Sequence, residues 1–336
     1  MSTPILFFSD PHLGLERQSH TTPKSRALLQ QAVYEQVLRI LQMPADVQYC
    51  LGDLFDRATN PESILLQGVT VARECHVLAG NHDSTNRDNR ISSLALLKAL
   101  DETLDWSIIT TPRQFADPFS VYFIPHCLTQ TEFEQHLENA PPGDILCLHC
   151  NYDSPFAANE ATLNLTRERA ERLLGKFRHI LIGHEHNARS DFDGRLQLLG
   201  CTFPTSFHDA HTDKYIWGYD DGQLIPEKVW DASVGFREVP WQTLLAGSDL
   251  TGVQFLNITG IAPLNTLPEI AKTLTDTWGQ VPGLLMLRNS VQAEGETEGP
   301  EVDLTRFQDL PSRVRSELPP DLAPVWEHYL SRVKPT

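Results

Sequence analysis

The sequence predicts a layered α/β fold with helices covering the faces of its sheets. Two observations predict it. Through the first two thirds of the chain, short apolar runs alternate with segments of helical periodicity. Parallel strands joined by crossover helices produce that alternation. In addition, acidic, amide and histidine residues gather where the apolar runs end, which is where open α/β sheets build their sites.

The elements follow in order. ILFF (5–8) is a strand, and residues 24–42 form a helix with Ala27, Leu28, Val33, Val37, Leu38 and Leu41 at helical spacing. VQYCL (47–51) is the second strand. Residues 61–74 read as a helix with proline near its first turn, and HVLA (76–79) is the third strand. A helix at 91–100, strand VYFI (121–124), helix 131–139, strand ILCL (145–148), helix 167–177 and strand HILI (179–182) follow. Residues 196–219 supply further strands and turns that close the sheet. The texture then changes. VQFLNI (253–258), a helix around 267–278 and LLMLR (284–288) predict a small β-α-β unit. NSVQAEGETEGP (289–300) is Gly-containing, acidic and poor in apolar residues, and reads as a linker. Beyond it, Leu304, Phe307, Leu310, Val314 and Leu318, then Leu322, Val325, Trp326, Tyr329, Leu330 and Val333, predict a helical hairpin. That hairpin either packs on its own domain or docks on another chain. The expected organisation is a domain at 1–215, a second at 216–290, a linker at 291–300 and the hairpin at 301–336.

Composition bounds the function. Of 336 residues, 40% are hydrophobic and 21% charged, as in a folded soluble chain. No apolar run is long enough to span a membrane, and MSTPILFFSD lacks the basic region of a secretory signal, so the cytosol is the expected compartment. The six cysteines are then expected as thiols. Cys147 and Cys150 form a C-x-x-C pair, but they end an apolar run, which favours buried strand thiols over a redox or zinc pair. The net charge of −17 excludes a basic nucleic-acid coat. Nucleic acid remains compatible if some acids hold metal ions or if a partner supplies the basic surface.

The chemistry sits at the strand ends. Asp10-Pro11-His12 follows the first strand, and Gly52-Asp53-Leu54-Phe55-Asp56-Arg57 the second. Gly80-Asn81-His82-Asp83 follows the third, and His149 and Gly183-His184-Glu185-His186 follow later ones. A lone histidine at a strand end is more often structural. Five segments delivering Asp, Asn and His to one edge of a fold are a different matter. Imidazoles with carboxylates suit Mn, Fe or Zn, a carboxylate can bridge two ions, and Asn81 adds an oxygen ligand without charge. Two such ions can clamp the attacking and leaving oxygens of a phosphoryl displacement.

Taken together, D-x-H, G-D-x-x-D-R, G-N-H-D, a lone His and G-H-x-H resemble the calcineurin-like metallophosphoesterase superfamily over roughly residues 4–210. That resemblance implies a layered β-sandwich core flanked by helices. Gly52–Asp56, Pro61-Glu62-Ser63, the run into Gly80-Asn81-His82-Asp83-Ser84 and Gly183–His186 resemble the Mre11/SbcD nucleases. The chain length and GCTFPTSFHDA (200–210) look most like short, phage-type members. The resemblance implies one ion on Asp10, His12 and His186, and a second on Asn81, His149 and His184, with Asp53 between them. It implies that His82 faces the scissile phosphate, that Asp83 fixes its orientation, and that a water activated by two ions is the nucleophile. Manganese is the typical metal.

Asp56 stands where many Mre11-type sequences have a histidine, and Arg57 is a candidate to replace that histidine's phosphate contact. The alternative for Arg57 is a surface ion pair with Asp56 or Glu62. His126 in FIPHC is expected beside the site. The resemblance further implies that the β-α-β unit is a capping domain of small α+β type, and that the hairpin docks on a Rad50/SbcC-like ATPase. The chain lacks the phosphate-binding loop of an ATPase. The expected function is therefore a manganese-dependent 3′→5′ double-strand DNA exonuclease, with single-strand endonuclease activity, working in recombination, repair or replication. A homodimer is compatible with this reading, and no membrane is involved. The alternative is a phosphodiesterase for cyclic or other small nucleotides on the same fold.

Overall fold

The structure is a computed structural model that describes residues 5–84, 91–100, 102–116, 119–154 and 163–294. Strands β1 (Ile5–Phe8), β2 (Val47–Cys50), β3 (His76–Leu78) and β4 (Ile108–Ile109) run parallel, each beside the next. Helices α1 (Pro23–Leu41), α2 (Glu62–Glu74) and α3 (Ser93–Leu100) make the crossovers. Thr22 starts α1 with a capping box: its hydroxyl accepts from the Ser25 N–H at 3.1 Å, and Ser25 Oγ accepts from the Thr22 N–H at 2.9 Å.

A second sheet has the order β11 (Arg189–Asp191), β12 (Leu196–Leu198), β10 (Phe177–Gly183), β7 (Gly143–His149), β6 (Val121–Ile124) and β5 (Arg113–Phe115). Its four central strands are parallel, with α4 (Gln130–Asn139) and α5 (Arg167–Leu173) as crossovers. A short pair, β8 (Asn151–Tyr152) and β9 (Asn164–Leu165), lies outside both sheets.

The strand sequences explain why the two sheets stack. Ile5 and Phe7 of β1 point into a shared core with Ile145 and Cys147 of β7, whereas Leu6 and Phe8 face the helices on the first sheet. Leu146 and Leu148 likewise face Phe133, Leu137 and Leu173 on the outside of the second sheet. Successive side chains go to opposite faces. A strand buried on both therefore reads as an unbroken apolar run. The result is four layers, helix, sheet, sheet, helix: the sandwich that the resemblance implies, with two sheets where the strand pattern alone suggests one. All six cysteines are free and buried.

The domain boundary differs from the one expected. Strands β13 (Lys214–Asp220) and β14 (Gln223–Trp230) join the first sheet, where β13 pairs antiparallel with β1. That sheet thus runs through Trp230, past the boundary expected at residue 215. The smaller unit begins after it, with α6 (Ala232–Gly235), β15 (Phe236–Pro240), α7 (Trp241–Leu245), β16 (Phe255–Ala262), α8 (Leu267–Gln280) and β17 (Met286–Ala293). Its three strands are parallel and enclose a core of their own around Leu256, Ile258 and Ile270. Residues 289–293, expected as linker, are strand instead: they continue the pairing of β17 with β16 to Ala262 and Ala293. The hairpin expected at 301–336 lies outside the described residues. Among the described residues no helix is long and apolar enough to cross a membrane.

One packing contact reaches the motif loops directly. Gly68 of α2 lies against the fully buried ring of Phe55, and a Cβ there would sit 2.3 Å from Phe55 Cζ. Helix propensity alone would reward alanine by about 0.5–1 kcal/mol. Overpacking costs about 1–3 kcal/mol and should win. Gly68→Ala is expected to lower the unfolding free energy in a denaturant titration; a gain would show that Phe55 moves aside freely.

Candidate metal centre

Each motif follows the carboxyl end of a central strand. Asp10 and His12 follow β1, Asp53 follows β2 and Asn81 and His82 follow β3. His149 ends β7, and His184 and His186 follow β10. The loops must turn sharply to bring these side chains together. Asp10, His12, Asp53 and His184 all hold positive φ, at 53°, 50°, 51° and 97°. Residues with a Cβ adopt that region only when their surroundings impose it. Here main-chain bonds between loops do so: Asp10 N–H donates to Gly52 O at 3.1 Å, His12 N–H to Asp53 O at 3.0 Å and Leu13 N–H to Leu54 O at 2.8 Å. His184 N–H donates to the Asp10 carboxylate at 3.0 Å. Gly52, at φ 101°, is required, because a Cβ there would fall 2.1 Å from His149 Nδ1.

The expected ligands converge in two groups. Ligand atoms of Asp10, His12 and His186 lie within 4.8 Å of one another, and so do those of Asp53, His149 and His184. His149 Nε2 lies 3.0 Å, and His184 Nδ1 2.8 Å, from Asn81 Oδ1. The Asp53 carboxylate stands between the groups, 3.3 Å from His149 Nε2 and 3.9 Å from His12 Nε2.

The protons this set can hold suit it to cations. His149 Nδ1–H is committed to the Leu51 carbonyl at 2.8 Å, so its Nε2 meets Asn81 Oδ1 and Asp53 as one acceptor among acceptors. His12 Nε2 and His186 Nε2 face each other at 3.1 Å. A cation answers the acceptors around His149, and between His12 and His186 either a cation or one Nε2 proton does so. Burial pulls His149 down, but Asp53, with Asp10 and the Leu51 carbonyl, outweighs it and raises the imidazole to about 9. Burial pushes Asp53 up, and His149 more than reverses this, holding it well below the usual carboxylate range. Burial, then His149, lowers His184 to about 3, and burial lowers His12 strongly. Neutral imidazoles are the form that binds metal.

His82 sits beside both groups. Its main-chain N–H donates to Asp53 Oδ1 at 2.9 Å, and its ring Nδ1 lies 2.7 Å from the Asp56 main-chain carbonyl. A carbonyl only accepts, so the proton is on Nδ1 and Nε2 is left for a substrate. Asp83 does not orient this ring, contrary to expectation. Its carboxylate accepts from Leu54 N–H at 3.2 Å, Phe55 N–H at 3.0 Å and Gly80 N–H at 2.9 Å, and so pins two motif loops together. Arg57 does not join the site either. It is exposed and paired with Glu16 at 2.5 Å, rather than with Asp56 or Glu62. The guanidinium beside the site is that of Arg17, 3.4 Å from Asp56 Oδ1 and 3.1 Å from Thr205 O. His126 packs against His149, with ring centroids 6.4 Å apart; burial, then His149, lowers it to about 4. The sequence reading also missed Asp209, 3.2 Å from His186 Nδ1.

The calcineurin-like phosphoesterase family model matches residues 3–188, more than half of the chain. The chain belongs to the calcineurin-like phosphoesterase family. Members use two divalent metal ions, and the donors described above fit them. Among solved structures, the phosphopantetheinyl hydrolase PptH from Mycobacterium tuberculosis is 13% identical, with 59% of this chain and 90% of that one covered and a TM-score of 0.37. A metallophosphoesterase from Sphaerobacter thermophilus is 15% identical, with 69% and 90% covered and a TM-score of 0.35. Neither likeness is close enough to carry a substrate across. No curated protein matches the chain. Family membership makes the chain a metal-dependent phosphoester hydrolase.

The Asp83 contacts give a direct test. Asp83→Ala leaves three buried N–H donors without an acceptor and is expected to cost about 2–5 kcal/mol in denaturant unfolding. Asp83→Asn, which keeps one acceptor oxygen, should cost less. An Asp83→Ala variant that unfolds like wild type but loses turnover would return Asp83 to the role of orienting His82.

Proposed function

We propose that this phosphoesterase is a manganese-dependent DNA nuclease of Mre11/SbcD type, cutting duplex ends 3′→5′ and single strands internally. In this reading it works with a Rad50/SbcC-like ATPase in recombination, repair or replication. The observation that carries the proposal is the seating of the small β15–β17 unit beside the metal centre. Phe255 of β16 packs on Phe203 and Phe207, at ring-centroid distances of 6.2 and 6.1 Å, in the loop that reaches His186. Leu287 N–H of β17 donates to His20 O at 3.0 Å, tying the same unit to the loop that follows His12. A hydrolase of small diesters needs no second unit there; a nuclease that selects duplex ends does.

Bound divalent ions supply Lewis acidity and lower the pKa of water at the phosphate. The chain's own residues do the rest. Asp53 holds the two ligand groups in one frame. Asp56 O fixes the Nδ1 proton of His82, so that Nε2, when protonated, hydrogen-bonds the phosphate and gives its proton to the leaving oxygen. The acidic balance of −17 is the one observation that favours the small-nucleotide alternative. In the proposed reading the ATPase grips the DNA backbone and offsets it. The segment 301–336, outside the described residues, is the proposed docking element.

The test uses blunt duplexes labelled at the 3′ or the 5′ end, with manganese or EDTA. Manganese-dependent release of the 3′ label as mononucleotide, with stepwise shortening of the 5′-labelled strand, is expected. Hydrolysis of a chromogenic diester without any duplex cleavage, even with the ATPase added, would instead establish the small-substrate reading. His82→Asn is expected to keep both ions and lose about 10²- to 10⁴-fold in turnover; wild-type turnover would remove His82 from the chemistry.

A further inference from the structure

We propose that Asp209, acting with Thr205, is the positioning residue that presents His186 as an Nε2 donor, so that one of the two ions depends on it and the other does not. This rests on the two-ion chemistry of the family and not on the DNA reading.

The hydrogen atoms around His186 can be assigned one by one. Asp209 is 2% exposed, and its carboxylate only accepts. Oδ1 takes the Ser206 N–H at 2.7 Å and the Ser206 hydroxyl at 2.9 Å. Oδ2 takes the Thr205 N–H and the Thr205 hydroxyl, both at 3.0 Å. The single hydroxyl proton of Thr205 is thereby spent. Yet Thr205 Oγ1 is also 3.0 Å from His186 Nδ1. It can only be accepting there, so the proton sits on Nδ1, shared with Asp209 Oδ2 at 3.2 Å. His186 Nε2 is left with its lone pair, aimed at His12 Nε2.

Asp209 is not itself a ligand, because its two oxygens are already occupied by donors. The buried Lys214 completes the clamp from the other side, donating to His186 O at 3.1 Å. The other ligand group is held differently. The proton of His149 goes to a neutral carbonyl, Leu51 O. Among the described residues, His186 is the ligand histidine whose far nitrogen is within hydrogen-bond distance of a carboxylate; His12 Nδ1 stands farther off, 3.6 Å from Asp56 Oδ1. A carboxylate behind a ligating imidazole fixes its tautomer and raises its basicity, and removing one typically costs 10- to 100-fold in metal affinity.

Asp209→Asn tests this with little change of shape. In either amide orientation an NH₂ faces a donor, the Nδ1–H of His186 or the N–H of Ser206. Manganese titration of the full chain by calorimetry, with electron paramagnetic resonance of the bound ions, reads the effect. Two ions are expected for wild type. In Asp209→Asn one ion keeps its affinity and the other binds about 10- to 100-fold more weakly, so the coupled two-ion spectrum gives way to that of isolated Mn(II) at low metal. Thr205→Val is expected to weaken the same ion, and Thr205→Ser to leave both unchanged. These two variants keep the test open should Asp209→Asn not fold. Equal weakening of both ions, or of neither, would overturn the proposal, since a purely structural role predicts no difference between them.

Discussion

The Asp53 carboxylate is the interaction on which the rest of the structure depends. It is buried at the meeting of the two sheets, in contact with the main chain of His82 and facing His149 and His12. An isolated charge in that position would be very costly. Imidazoles from both sheets offset it, and so do the cations for which the donor geometry is suited. Its two oxygens are thus the common reference point of ligands that are far apart in the sequence.

Everything around Asp53 serves to bring strand ends from two sheets to one place. Parallel strands present their carboxyl ends on one edge, and stacking two such sheets brings two sets of ends together. The loops then bend into a backbone region that side chains resist. Pairing of the β1 and β2 loops through main-chain hydrogen bonds, with Asp83 pinning the loops after β2 and β3, makes those bends stable. Phosphoester hydrolysis needs ligands that do not relax as charge moves from attacking to leaving oxygen. Strain locked by hydrogen bonds provides that rigidity.

Much of this was legible in the sequence because the signals are local. ILFF and ILCL are buried on both faces, and each motif is continuous at its strand end. Long-range relations were less visible. The boundary after residue 215 failed because KYIWGYD (214–220) pairs with β1, some two hundred residues earlier. Residues 289–293 lack an apolar run because β17 is an edge strand, largely open to solvent on one side. Asp56-Arg57 reads as a unit in the sequence, yet the loop after His12 places Arg17 on Asp56 and Glu16 on Arg57. Asp209 carries no periodic or motif signal that links it to His186. Only the folding of the loop over residues 200–210 brings them together.

Asp53 stands where one carboxylate can join two ion positions at this edge of the fold. The most direct measurement is an anomalous difference map from crystals grown with manganese. Two strong peaks are expected, one among Asp10, His12 and His186 and one among Asn81, His149 and His184, both in contact with Asp53. A single peak, or two peaks that Asp53 does not share, would contradict this arrangement.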